Sequence, residues 1–251
     1  MKKTVWITLL MIGFLSTSAA EIDTLFFKAN AAYANEYYED AIHYYNKIID
    51  AGFESPTLYF NLGNAYFKSQ DMPSAILYYE KALKFSPNDE DIRFNLQTAN
   101  TRIVDKIETV PELFIYAWWR SFYNMMPVDN WAILSVTGFI IFIVLFLFYL
   151  LSRYILIRKL AFFTGLFVLL MTIVSFSFAA RKYYNFHHHK TAIVFTPTIT
   201  VKSSPNPNSV DLFVIHEGSK VVIRDMVGEW YEIRIANGSV GWLPASSLRK
   251  I

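Results

Sequence analysis

The chain has 251 residues, of which 54% are hydrophobic and 18% charged, with a net charge of +2 and a positive mean hydropathy. That balance is too apolar for an ordinary soluble domain, and without a basic run it gives no reason to expect a nucleic-acid partner. Cysteine is absent, which excludes a thiol enzyme, a cysteine-ligated zinc site and a lipid-modified lipoprotein, and leaves either redox compartment open.

Residues 1–20 combine Lys2 and Lys3, an apolar core from Val5 to Leu15, and the small residues Ser18, Ala19 and Ala20. This is the pattern of a cleaved secretory signal; an uncleaved anchor helix is the other reading, and either sends residue 21 onward across a membrane.

The next region, 21–108, has an internal period. With Pro56 as first position of a 34-residue unit spanning 56–89, Tyr59, Leu62, Gly63 and Tyr66 fall at positions 4, 7, 8 and 11, and Ala75, Tyr79, Ala82 and Pro87 at 20, 24, 27 and 32. Small Gly63 and Ala75 let two antiparallel helices approach, Leu62, Tyr66, Tyr79 and Leu83 interlock between them, Ser69-Gln70-Asp71 makes the turn, and Pro87 ends the second helix. This unit resembles the tetratricopeptide repeat at every signature position. Residues 22–55 form a degenerate copy, with Ala29, Ala41, Tyr45 and Ile48 in place but Lys28, Ala32 and Phe53 departing from the pattern. Residues 90–107 are expected to form a solvating cap helix with Phe94 and Leu96 inward. Two repeats and a cap are few for a continuous core, so a partner, self-association or a membrane is expected to add stability. The resemblance implies a peptide-holding groove lined by the first helix of each repeat: here Phe26, Asn30, Tyr33, Phe60, Asn64, Phe67 and Lys68, with Phe94 and Thr98 from the cap. The other reading of these positions is ordinary repeat residues without a ligand.

Residues 109–130 carry Trp118, Trp119, Phe122 and Tyr123, and Trp131 follows at once; these are residue types that favour a membrane interface. Pro111 suits a helix start, so a short helix lying on the outer leaflet is expected, with packing against the repeats as the other reading. Two uncharged apolar segments follow, 131–151 and 160–180, each about 21 residues and long enough to cross a ~30 Å hydrocarbon layer. The loop between them, 152–159, holds Arg153, Arg158 and Lys159, which places it in the cytoplasm by the positive-inside rule and puts both polar parts of the chain outside. The secretory signal predicts the same topology; Arg181 and Lys182, on the outer flank, run against it. The spans hold no ionisable residue or helix breaker that would suggest a transport path, only small or weakly polar positions such as Ser135, Thr137, Thr164, Gly165, Thr172, Ser175 and Ser177, so an anchor or helix-contact role is expected.

Residues 181–251 begin with a tether and continue as short alternating runs separated by turns at Ser204-Pro205-Asn206, Glu217-Gly218, Val227-Gly228 and Asn237-Gly238, which predicts a small all-β barrel with a hairpin at Asn237-Gly238. The ending Gly241-Trp242-Leu243-Pro244, followed by Leu248, resembles the bacterial SH3 domain, which implies binding of peptides or cell-wall fragments. Trp230, Tyr231, Trp242 and Pro244 are the candidate surface, with a core role for Trp230 and Trp242 as the other reading. His187, His188 and His189 are adjacent, but alternate side chains in an extended segment point opposite ways and no cysteine or carboxylate adjoins them, so a polar tether is expected and no metal.

The fold class expected is thus a multidomain membrane protein: an all-α tetratricopeptide repeat domain, a two-helix transmembrane hairpin and a small all-β bacterial SH3-like barrel. That order, with the Val104-to-Phe114 passage and the GWLP ending, resembles the Bacteroides aerotolerance (Bat) group. The resemblance implies an inner-membrane complex with partners bearing von Willebrand A domains, a link to oxidative stress tolerance, periplasmic placement of both globular parts, and the lipid bilayer as surroundings. No nucleophile–base pair or metal-ligand spacing is present, so a non-enzymatic scaffold without cofactor is expected. A peptidoglycan-binding sensor, or an activator of a wall hydrolase, is the alternative.

Overall fold

The structure, a computed structural model, describes residues 21–106, 113–188 and 190–251. The expected signal segment, Pro111 and most of the 107–112 passage lie outside the described residues, as do His189 and the side chains of His187 and His188. The chain divides into two compact units, one formed by the residues up to Val110 together with Lys190–Ile251, the other by Pro111–His189.

In the first unit, helix α1 covers residues 21–34 and is followed by α2 (Tyr38–Asp50), α3 (Pro56–Lys68), α4 (Met72–Phe85) and α5 (Glu90–Asn100). Local chemistry starts these helices. Ser55 Oγ accepts from Leu58 N at 3.0 Å ahead of Pro56, and Asp71 Oδ1 accepts from Ser74 N at 3.0 Å. Asp89 Oδ1 accepts from Asp91 N and Ile92 N, both at 3.1 Å. Each satisfies backbone donors that a helix start leaves open. The α1–α2 and α3–α4 turns repeat one device: Glu36 and Gln70, 34 residues apart, both have positive φ, 64° and 68°. Gly63 is required by packing, since a Cβ there would sit 2.7 Å from the Tyr79 ring. Ala29, Ala41, Tyr45, Ile48, Leu58 and Leu62 are buried between the first helices, and Tyr59, Ala75, Ile76, Tyr79, Ala82, Leu96 and Ala99 between the later ones.

The second segment of this unit forms seven strands: β1 (Thr191–Val194), β2 (Thr198–Lys202), β3 (Asp211–His216), β4 (Lys220–Val227), β5 (Trp230–Arg234), β6 (Val240–Pro244) and β7 (Leu248–Lys250). They make one antiparallel sheet in the order β3-β2-β6-β5-β4-β1-β7. The expected barrel does not close: β3 and β7 end the sheet and are not paired with each other. The sheet curls over a core of Val194, Val201, Ile215, Val221, Ile233 and Leu243. The Asn237-Gly238 turn does join β5 to β6, with Ile235 N donating to Ser239 O at 3.0 Å, Ser239 N donating to Asn237 Oδ1 at 2.9 Å, and Arg234 opposite Val240.

The repeats and the sheet pack against each other, which answers how so short an array is stabilised. A third repeat would add a second helix against α4 and α5; β1 lies there instead. Ile193, fully buried, joins the core of Tyr59, Ile76, Leu77, Ile92 and Leu96, with Phe195, Ile103 and Ile251 at its margin. Gly218, φ +85°, permits this approach, because a Cβ there would meet Ile103 Cγ2 at 2.5 Å. Polar contacts surround the apolar centre. Asp105 Oδ2 accepts from His216 N and from Ser219 Oγ, both at 2.6 Å, and His216 Nδ1 lies 2.8 Å from Asp105 Oδ1. Burial by itself would raise the Asp105 carboxyl, but the bonds from Ser219 and His216 outweigh it and hold it below its ordinary value. An ionised carboxylate only accepts, so the ring proton facing it sits on Nδ1. Lys220 Nζ pairs with Glu80 Oε2 at 2.6 Å.

The described residues of the second unit form α6 (Phe114–Asn124), α7 (Val128–Leu151) and α8 (Ile155–His188). Both α7 and α8 are long and apolar enough to cross a membrane. They pack closely where side chains are small, a Cβ at Gly138 meeting Thr172 Oγ1 at 2.5 Å. Ser152–Tyr154 alone separates them, and α8 takes in Arg158 and Lys159. Aromatic residues of α6 and α7 gather around one ring of α8: Phe178 has Trp119 and Tyr123 of α6 and Trp131 of α7 at centroid distances of 5.4, 5.4 and 5.1 Å, all edge-on. Trp118, 67% exposed, remains outside that cluster. Lys182, which ran against the charge rule, donates to the Met126 carbonyl at 2.6 Å and lies over the Tyr123 ring, so its charge serves a local contact.

Candidate functional site

The candidate site is the face shared by α1, α3 and α5. Its polar chemistry comes from one arrangement made twice. The Tyr45 hydroxyl donates to Asn30 Oδ1 at 2.6 Å, and Asn61 Nδ2 donates to the same oxygen at 3.3 Å. In the next repeat Tyr79 donates to Asn64 Oδ1 at 2.7 Å, and Asn95 Nδ2 to the same oxygen at 2.9 Å. Every member is displaced by 34 residues from its counterpart. Burial pushes the Tyr45 phenol up to about 12 and raises that of Tyr79 as well, so both remain proton donors. A phenol that donates fixes the amide opposite it: the carbonyl oxygens of Asn30 and Asn64 point inward and their Nδ2 donors are left for the open face. Asn61 and Asn95 donate inward and keep their carbonyl oxygens. The face thus alternates amide donors and acceptors, the complement of an extended peptide backbone.

Alongside runs an apolar stripe at the same period. Phe26 packs on Tyr45 at 5.9 Å and Phe60 on Tyr79 at 6.0 Å. Phe94, expected inward, is 69% exposed, whereas Leu96 is buried. In the first two repeats a tyrosine on the following helix covers the phenylalanine; among the described residues no such helix follows α5 in this unit, and the ring stays open. Thr98 stands at the third asparagine position but donates to Phe94 O at 2.9 Å within its own helix, so the ladder has two rungs. Tyr33 packs on Tyr38 at 5.5 Å. Phe67 is half-buried with the Arg102 guanidinium 4.3 Å from its ring centre, and Lys68 is exposed. Arg102 follows Lys68 by one period, giving that edge two cations.

Asn61, Asn95 and Arg102 are members that first-helix positions alone did not single out. The signal was in the sequence: Asn61 and Asn95, like Lys68 and Arg102, are 34 apart.

On the sheet, cross-strand register separates the four candidate residues. Trp230 lies opposite Pro244 and Trp242 opposite Glu232, so Trp230, Trp242 and Pro244 share one half-buried outer face. Tyr231, opposite Leu243, turns the other way into the core and is 8% exposed; it is a core residue rather than a member of that surface.

A tetratricopeptide-repeat family model matches residues 28–90, covering most of the degenerate unit and the whole of the second. No curated protein matches the chain. The helices over 28–90 are therefore tetratricopeptide repeats, a class that generally binds protein partners.

Proposed function

We propose that the chain is a non-enzymatic membrane scaffold whose repeat face holds an extended segment of a partner protein. The observation that carries this is the doubled Tyr–Asn–Asn arrangement, which presents oriented amide donors and acceptors beside a phenylalanine stripe. Such a face recognises a peptide backbone through the amides and apolar side chains through the rings.

The hairpin holds this module at a bilayer. Residues from both flanks of α7 and α8 build one packed unit, which supports a chain that enters the membrane and returns to the same side. The cations at the tip support a cytoplasmic turn and hence an outer, periplasmic position for repeats and sheet in a bacterial inner membrane. The turns and GWLP ending support a bacterial SH3-like identity for the sheet. In this reading the chain acts as a BatE-type component of a Bat complex linked to aerotolerance, with von Willebrand A-domain membrane proteins as partners. Two modules held together raise the effective concentration of one ligand site near the other. The shared outer face of Trp230, Trp242 and Pro244 favours a second reading, a cell-wall fragment as ligand of the sheet.

The test is a crosslinking pull-down from native membranes with the intact chain and with Asn64→Ala/Lys68→Ala. Recovery of von Willebrand A-domain proteins by the intact chain and their loss with the variant is the expected result. Recovery by both moves the contact away from the repeat face, and recovery of cell-wall fragments alone favours the second reading.

A further inference from the structure

We propose that the tip of the α7–α8 hairpin is a binding site for an anionic phospholipid. The proposal rests on the reading that these helices cross a bilayer. Three cations, Arg153, Arg158 and Lys159, are exposed within seven residues at the tip. The sequence has no Asp or Glu between Asp129 and Asp211, and the hairpin unit contains only Glu112 and Asp129. Asp129 sits at the far end of α7, 22 residues from Leu151, which at 1.5 Å per residue is about 33 Å away. Among the described residues, the unit therefore has no carboxylate near the tip.

These cations belong to the linings of two apolar troughs. One, of about 920 Å³, is lined by Leu147, Phe148, Leu151 and Ile157 together with Arg153 and Tyr154. The other, of about 380 Å³, is lined by Tyr149, Ile155, Phe162 and Phe163 together with Arg158 and Lys159. The Arg158 guanidinium lies 5.3 Å from the centre of the Tyr149 ring, which lines the same trough. The N-terminal end of α8 at Ile155 adds the positive pole of a helix dipole at the same level. An apolar trough with cations in its lining suits an amphiphile with acyl chains and a negative headgroup. A free phosphate would leave the troughs unfilled. A zwitterionic lipid would bring an ammonium group against the same cations.

The test uses the full chain reconstituted in nanodiscs of equal phosphatidylglycerol and phosphatidylcholine, then moved to detergent, with retained lipid quantified by native mass spectrometry. Preference for phosphatidylglycerol by up to about a hundredfold is expected from three basic groups acting on one headgroup. Arg153→Gln/Arg158→Gln/Lys159→Gln is expected to abolish the preference, and the charge-keeping Arg153→Lys/Arg158→Lys/Lys159→Arg to retain most of it. Equal retention of both lipids by the intact chain, unchanged retention by the glutamine variant, or release by millimolar inorganic phosphate would overturn the proposal. So would a protein helix found on the tip in place of lipid. Extraction of the chain from native membranes by alkaline carbonate would instead overturn the membrane reading beneath it; a chain that resists carbonate but shows no lipid preference overturns the lipid site alone.

Discussion

The repeat face and the junction with the sheet solve the same problem at different sequence distances. In both, an oxygen acceptor is held by two or three donors from other elements. On the repeat face the partners are 15 and 31 residues apart, and the arrangement occurs twice. At the junction, Asp105 meets His216 and Ser219 across 111 and 114 residues, with the whole hairpin between them, and it occurs once. A copied contact is local to its unit. A single long-range contact ties together segments that would otherwise have separate cores, so the junction should matter more to stability and the ladder more to ligand.

Ile193→Ala offers the strongest way to break that contrast. The side chain is fully buried, belongs to a strand, and packs in the core of the repeats. Removing a buried isoleucine to this extent costs about 2–5 kcal/mol. Hydrogen exchange on the full chain in detergent should show α4 and α5 losing protection together with β1. Loss confined to the sheet would mean that the repeats stand alone and that β1 is an accessory to them.

Asp105→Ala should cost less, about 1–3 kcal/mol, because it leaves the His216 N–H and the Ser219 hydroxyl without their acceptor. The same carboxylate gives the junction a pH dependence. Its folded-state value lies below its ordinary value of 3.8, so its stabilising contribution is complete at neutral pH and disappears as pH falls from about that value through the folded one. Acid titration of urea midpoints should show a loss in the wild-type chain that Asp105→Asn lacks. Parallel titrations of the two chains would remove Asp105 as the group responsible.

What could be read in advance follows the same division. Period, composition and charge exposed the repeats, the two apolar helices and the β-rich segment, because each depends on neighbours in the chain. Asn30 and Asn64 were visible as positions, but their orientation was not, since it depends on phenols 15 residues later. The pattern expects Phe94 inward, but it says what a repeat's first helix buries only when a second helix packs on it, and the ring is exposed. Adjacency to Trp230 suggests a surface place for Tyr231, but alternation along a strand puts adjacent residues on opposite faces. The docking of β1 on α4 had no local signal at all: Ile193 reads as a strand residue whichever core receives it. The open sheet edges likewise depend on pairing that turn residues do not specify.

The smallest expected effect is also the one that tests the ladder most directly. Tyr79→Phe deletes one oxygen and keeps the ring against Gly63 and Phe60. It removes the donor that points the Asn64 carbonyl inward, and stability should fall by only about 0.5–1.5 kcal/mol. Asn95 still donates to that oxygen, so the rung is loosened rather than lost. Tyr45→Phe does the same to the first rung, where the remaining Asn61 bond is longer, 3.3 Å against 2.9 Å, and Asn30 is more exposed than Asn64. If oriented amides hold the partner, each single change should weaken its capture severalfold with little change in melting. The first-rung change should weaken it more, because its asparagine has the poorer second restraint. Capture that follows melting temperature in both variants, with no difference between rungs, would reduce the ladder to a packing device and leave the phenylalanine stripe as the binding element.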